Sequence, residues 1–220
     1  GQQERAVHAA GKRHHHRTQP TEDLIAGGQL LSQRLVQNVK GFRRSHVTIL
    51  PGSEAAKSET VASAGRETPS GEAARIGRFR EMLESQGGNF LSGPSIETLL
   101  PELGEALRIA GVTALFIPPG DETARMVAET LVPFGPFALV SPEEAKRSSA
   151  PATAGIQTAE CAIAETGTIV QTGREGKTLL PGLLADVHVA LLSPAVFVDR
   201  MEEFLDALPE DLPRNVSFIT

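Results

Sequence analysis

The residues best equipped for chemistry lie in one stretch, 155–181, which reads GIQTAECAIAETGTIVQTGREGKTLLP. Glu165, Thr166 and Gly167 separate two apolar runs, 161–164 and 168–170. An acid, a hydroxyl and a glycine between apolar runs predict a turn whose backbone approaches something closely. The amides around Thr166, Gly167 and Thr168 can cradle an anion, with Glu165 as base, nucleophile or hydrogen-bond acceptor. The same pattern also fits a plain hairpin with a glycine turn and a solvated glutamate, and composition alone favours that version.

Just downstream, Arg174, Lys177 and Thr178 gather the donors a carboxylate or phosphate pocket needs. An exposed polar loop explains them equally well. Gly176, Lys177 and Thr178 are not a phosphate-binding loop, because Gln171 stands where that pattern requires glycine. No G-x-G-x-x-G fingerprint occurs either. His188 sits among Val, Ala and Leu in a strand-like run, as a candidate base or a satisfied structural histidine. Cys161 reads as a small buried apolar residue.

These residues need a scaffold, and the apolar pattern supplies one. Ile76, Phe79 and Leu83 form a helical stripe that stops at Gly87 and Gly88, ahead of a short strand near 89–91. A second helix carries Leu99, Leu103, Leu107 and Ala110, and Gly111 ends it. A strand at 114–117 follows, then a helix with Ala124, Val127 and Leu131 on one side, then a strand at 137–140. Ser141, Pro142, Glu143 and Glu144 make a strong helix start. A third apolar run covers 187–192, and Ser193 and Pro194 begin a helix with Val198, Met201, Leu205 and Leu208 inward. Residues 216–219 form a closing strand. Short strands alternating with amphipathic helices predict a layered α/β domain with a mainly parallel sheet flanked by helices.

Charge divides the chain. Residues 1–44 carry eight Lys/Arg against three Asp/Glu, a net of +5, within a total of −6, so the rest carries −11. Residues 1–20 are polar and His-rich, with nothing to bury; the run of His14, His15 and His16 cannot direct three adjacent side chains at one ion. Leu24, Leu31, Leu35, Val39 and Phe42 then recur at helical spacing among basic residues. Residues 51–71 have linker composition. The expected organisation is a basic leader at 1–58, partly disordered with one amphipathic helix, and an α/β domain over 59–220.

Several function classes drop out. Apolar residues make up 40%, yet no apolar run approaches the roughly 20 residues of a membrane span. No apolar signal-peptide core opens the sequence, so a cytoplasmic location is the expectation. The acidic body and the absence of Trp and Tyr argue against nucleic acid. A single cysteine excludes an intrachain disulfide and any Cys-ligated cluster or Cys-rich zinc site held by this chain alone. No metal site and no cofactor of its own are expected.

The A-E-T-G-T block at 164–168 with its apolar flanks, then Leu179, Leu180 and Pro181, then Val187, His188 and Val189, resembles the LUD-domain family. Within it the sequence is most similar to the lactate-utilization protein C branch, over about residues 75–220. The closing 213–219 segment resembles that branch too. The resemblance implies a fold like that of the ribose-phosphate isomerase, glucosamine-phosphate deaminase and CoA-transferase group. It also implies a part in oxidising L-lactate to pyruvate, alongside partner proteins that include an iron–sulfur protein and oxidoreductase subunits. Glu165, Thr166, Gly167 and Thr168 match the family's central motif, and His188 matches the histidine after its Leu-Leu-Pro. Members usually read Pro-Pro-Val-His, whereas residues 182–187 separate Pro181 from His188 here.

The expected function is therefore a soluble subunit of an L-lactate or organic-acid oxidation system, with iron–sulfur partners holding the cluster. It would bind a small organic anion at the C-terminal sheet edge near Glu165, Arg174, Lys177 and His188. A homo-oligomer also fits. Two alternatives stand beside it: a stand-alone acyl-CoA or sugar-phosphate transferase or isomerase using Glu165, and a non-catalytic assembly protein.

Overall fold

The computed structural model describes residues 45–51, 71–141, 144, 152–173 and 179–220, the side chains of 45, 46 and 50 excepted. The basic amphipathic helix, the histidine run, the linker at 52–70, Pro142, Glu143, Arg174, Lys177 and Thr178 lie outside the described residues.

In chain order the elements are β1 (Ser45–Pro51), α1 (Gly71–Ser85), β2 (Asn89–Gly93), α2 (Ile96–Ile109), β3 (Ala114–Phe116), α3 (Glu122–Leu131) and β4 (Ala138–Leu139). Then follow β5 (Thr153–Thr158), β6 (Cys161–Ile163), β7 (Thr168–Gly173), α4 (Leu180–Leu184), β8 (Val187–Leu191), β9 (Phe197–Val198), α5 (Met201–Asp206) and β10 (Asn215–Ile219). Six strands form one parallel sheet in the order β2-β1-β8-β5-β3-β4, and four form a second in the order β10-β7-β6-β9. The expected layered α/β architecture is present.

Side-chain alternation explains the layers. Val47, Ile49, Ala154, Ile156, Val187, Val189 and Leu191 point to one face of the large sheet, where α2 and α3 bury Leu103, Leu107, Val127 and Leu131 on them. A strand enclosed on both faces presents apolar groups to both. The opposite face, with Phe90 and Ala190, meets Ile76, Phe79 and Leu83 of α1 and the inner face of the second sheet, Ala162, Ile169 and Ile219. Phe79 is the hinge of that contact: its ring meets Phe90 edge-on at 6.1 Å and Phe197 at 5.2 Å. The outer face of the second sheet carries Cys161, Ile163 and Val170 against Phe204 of α5.

Two aspartates pin the ends of β5, the strand from which the second sheet departs. At one end Asp186 Oδ2 accepts from the Thr153 amide (2.8 Å) and hydroxyl (3.0 Å). At the other, Asp121 accepts from the Thr158 amide (2.7 Å) and hydroxyl (2.9 Å) while also capping α3 through the Ala124 amide (2.9 Å). The strong helix start at Ser141 is also visible, as a reciprocal box: the Ser141 amide donates to Glu144 Oε2 (2.7 Å), and the Glu144 amide to Ser141 Oγ (3.2 Å).

The elements β5 and α4 form where the sequence reading places none, and two further features differ from it. β1, which lies in the stretch assigned to the leader and where no element is expected, pairs with both β2 and β8 inside the large sheet. Its apolar residues Val47, Ile49 and Leu50 have no local partner element, so only long-range pairing defines it as a strand. The helix expected from Ser193 and Pro194 is instead a single 3-10 turn, with Ser193 Oγ accepting from the Ala195 amide at 3.3 Å. Phe197 and Val198 then leave the helical path to pair in parallel with Ala162 and Ile163. In the separate short helix that follows, Leu205 is 48% exposed and Phe204 turns inward.

Because Ile49 is fully buried on an inner strand of the large sheet, Ile49→Ala should cost about 2–5 kcal/mol in urea unfolding. A loss below about 1 kcal/mol would show that the strand is not part of the core.

Candidate functional site

The A-E-T-G-T block forms the tip of a hairpin. β6 and β7 are antiparallel with Ile163 opposite Thr168, so residues 164–167 make the loop. Gly167 has φ +65°, and a Cβ there would overlap the backbone nitrogen of Leu83 and lie 2.8 Å from its Cα. Glycine serves here both for its positive φ and for its lack of a side chain. The tip thus rests against the end of α1, and Gln86 Nε2 donates to the Thr166 carbonyl at 2.7 Å. Since the turn after α1 leads directly into the start of β2, the tip lies at the N-terminal side of the large sheet.

Glu165 is committed to the other flank. Its amide donates to the Asp199 carbonyl (3.1 Å), and its Oε1 accepts from the amide of Met201, the first residue of α5 (3.2 Å). A carboxylate at the start of a helix satisfies a free amide and complements the positive end of the helix. Arg75 braces the same turn through Asp199 (3.3 Å) and the Phe197 carbonyl (3.2 Å). The threonines bond one another: Thr166 Oγ1 to Thr168 Oγ1 at 2.7 Å, and Thr168 Oγ1 to Thr220 Oγ1 at 3.2 Å. The half-buried glutamate is therefore a hydrogen-bonded brace in this structure, not a solvated one.

His188 belongs to a different group. It is the second residue of β8, near the N-terminal end of the strand rather than the C-terminal edge, and is 1% exposed. It lies opposite Gly155 in register, and the α4 backbone crosses Gly155 so closely that a Cβ there would overlap the Pro181 carbonyl oxygen. A Cβ placed on Gly182 of α4 would stand 3.5 Å from Gln157 Nε2, 3.6 Å from His188 Nε2 and 2.9 Å from the Ile219 side chain. These groups converge beneath α4. Ile219 links them to the hairpin, since it pairs with Ile169 and precedes the Thr220 that bonds Thr168. Glu165 and His188, expected to serve one site, thus contact different elements.

Three residues that the sequence expectation overlooks share this interlayer face. Thr48 and Gln157 flank Ala190 in one row of the large sheet. Gln171 follows Ile169 by two residues, on the inner face of the second sheet. Thr48 Oγ1, Gln157 Oε1 and Gln171 Nε2 are buried without a hydrogen-bond partner. Leaving such an atom unmatched costs about 1–3 kcal/mol. The available signal was one glutamine inside each apolar run, GIQT and TIVQT. Among the described residues no three His, Cys, Asp or Glu side chains come together as a metal site would need.

A family model for the LUD domain matches residues 95–220, which include the hairpin, α4, His188 and β10. The chain belongs to the LUD-domain family. That family is associated with lactate utilization. No curated protein and no solved structure matches the chain. Within this LUD domain, no helix among the described residues is long and apolar enough to cross a membrane.

Cys161, on the outer face of the second sheet, is buried, and burial pushes its thiol up to about 11, with Glu203 nearby adding to the effect. Its pKa is higher folded than unfolded, so the protonated thiol favours the fold below about pH 9, and that contribution fades as pH rises toward 11. Alkylation by iodoacetamide at pH 8 should be slow in buffer and fast in denaturant, as mass spectrometry would read; equal rates would contradict the burial.

At the hairpin, Gly167→Ala should cost about 2–4 kcal/mol through strain and overlap. Glu165→Gln, which keeps an acceptor for the Met201 amide, should cost less than Glu165→Ala, which loses about 1 kcal/mol in urea unfolding. Equal effects of the two glutamate changes would remove the bracing role.

Proposed function

We propose that this LUD-domain protein is a subunit of an L-lactate or organic-acid oxidation system and acts with iron–sulfur partner proteins. The observation that carries the reading is the family match over 95–220, together with the lactate-utilization protein C pattern at 162–170, 179–181 and 187–189. The same pattern supports a fold of the ribose-phosphate isomerase and CoA-transferase kind.

Chemistry supports a division of labour. Moving two electrons from a hydroxy acid needs an acceptor, and a Cys-ligated cluster needs several thiolates. This sequence has one cysteine, and it is buried and protonated at neutral pH. The cluster would then sit on a partner, while this chain binds the small organic anion. Arg174, Lys177 and Thr178, which follow β7 in the sequence, are the donors this reading assigns to the anion. Glu165 is assigned a positioning role rather than nucleophilic attack, because its carboxylate already holds the start of α5.

Affinity capture of the full chain from lactate-grown cells should bring down an iron–sulfur protein, recognisable by its visible absorbance. Lactate-dependent dye reduction should require both components. Robust lactate oxidation by this chain alone would overturn the subunit reading.

A further inference from the structure

We infer that the open edge of β10, with the exposed leucines of α4 beside it, is the docking surface for the chain's own basic segment, residues 24–44.

The surface is apolar where a free edge is ordinarily guarded. β10 is the outermost strand of the second sheet and pairs with β7. Edge strands are usually blunted by charge or proline, and the five residues of β10, NVSFI, contain neither. Phe218 on this strand is 41% exposed. Its neighbour Ile219 abuts α4, since a Cβ on Gly182 would stand 2.9 Å from the Ile219 side chain. The two residues after Gly182, Leu183 and Leu184, are exposed. Three exposed apolar side chains thus lie within two residues of one contact between α4 and β10. Singly they would need no explanation; together on an unguarded edge they mark an interaction surface.

Charge selects the occupant. Residues 201–213, which lead through α5 to β10, read MEEFLDALPEDLP, with five acids and no Lys or Arg. All five carboxylates belong to exposed residues. Residues 24–44 carry Arg34, Lys40, Arg43 and Arg44 and no acid, so +4 faces −5. The same segment has the apolar stripe of Leu31, Leu35, Val39 and Phe42 that the leucines and Phe218 require.

The point of attachment favours docking within one chain. Ser45, the first residue of β1, lies opposite Val187, three residues beyond the end of α4. A chain entering β1 at Ser45 therefore arrives beside Leu183 and Leu184. As a helix, residues 24–44 would extend about 30 Å, far enough to run from α4 across the edge of β10. Direct attachment makes this encounter intramolecular, which a second copy or a separate partner must match by concentration.

The test is carbodiimide cross-linking of the full chain, as an equal mixture of isotope-labelled and unlabelled protein, read by mass spectrometry. Lys40 should join to an acid within 202–211, and the linked peptides should carry one label, never both. The product should fall at least about tenfold in Leu35→Asp/Val39→Asp and in Leu183→Ser/Phe218→Ser, each of which removes two apolar contacts. The Leu35→Asp/Val39→Asp pair alters no residue of the described fold, so it decides the matter even where the surface pair destabilises the sheet. Mixed-label products would assign the surface to a second copy and overturn docking within the chain. So would the absence of a Lys40 product with these acids, or a yield unchanged in Leu35→Asp/Val39→Asp.

Discussion

The whole arrangement depends on how closely one hairpin can approach one helix. The second sheet closes on the first only because the tip of β6–β7 meets α1 backbone to backbone at Gly167, with no side chain between them. That approach lets Phe79 engage both Phe90 and Phe197, and so sets the packing between the layers. Glu165 and Arg75 then secure the far side of the tip to the turn that begins α5. The most specific sequence block of the family is, in this structure, the clamp that sets the interlayer spacing.

That spacing has a chemical consequence. Where the layers meet through Phe79, Ile169 and Ala162 the contact is apolar, as a core should be. Further along the same face, Thr48, Gln157 and Gln171 interrupt it with atoms that find no partner. An apolar residue at any of these positions would remove an unmatched polar group from the fold. The glycines beside them, Gly155 and Gly182, are there for close packing, since a Cβ on either would meet Pro181 or Ile219.

Much of the scaffold was legible because its signals are local. The stripes of α1, α2 and α3 appear at helical spacing, and β2, β3, β4 and β8 of the large sheet appear as apolar runs between turn residues. The Glu165 turn was legible too, as both a hairpin and a close approach. The 3-10 turn at Pro194–Val196 was not, because Phe197 and Val198 are drawn out of a helix by pairing with β6, a contact 35 residues away in the chain for Ala162 and Phe197. Leu205 fits a helical stripe by spacing, yet Phe204 takes the inward place because Phe218 of β10 offers it an edge-on partner at 6.0 Å.

The sequence by itself therefore determined the helices α1, α2 and α3, the strands β2, β3, β4, β8 and β10, the family, and the identity of the tightest turn. All of these rest on spacing along the chain or on residues with restricted backbone preferences. Only the tertiary structure decided that β1 enters the large sheet between β2 and β8, and that His188 joins Gln157 rather than Glu165. It alone gathered Thr48, Gln157 and Gln171 into one layer. The physical reason is that register across strands is set by partners far away in sequence, and a single polar residue in an apolar run does not reveal which layer it will face.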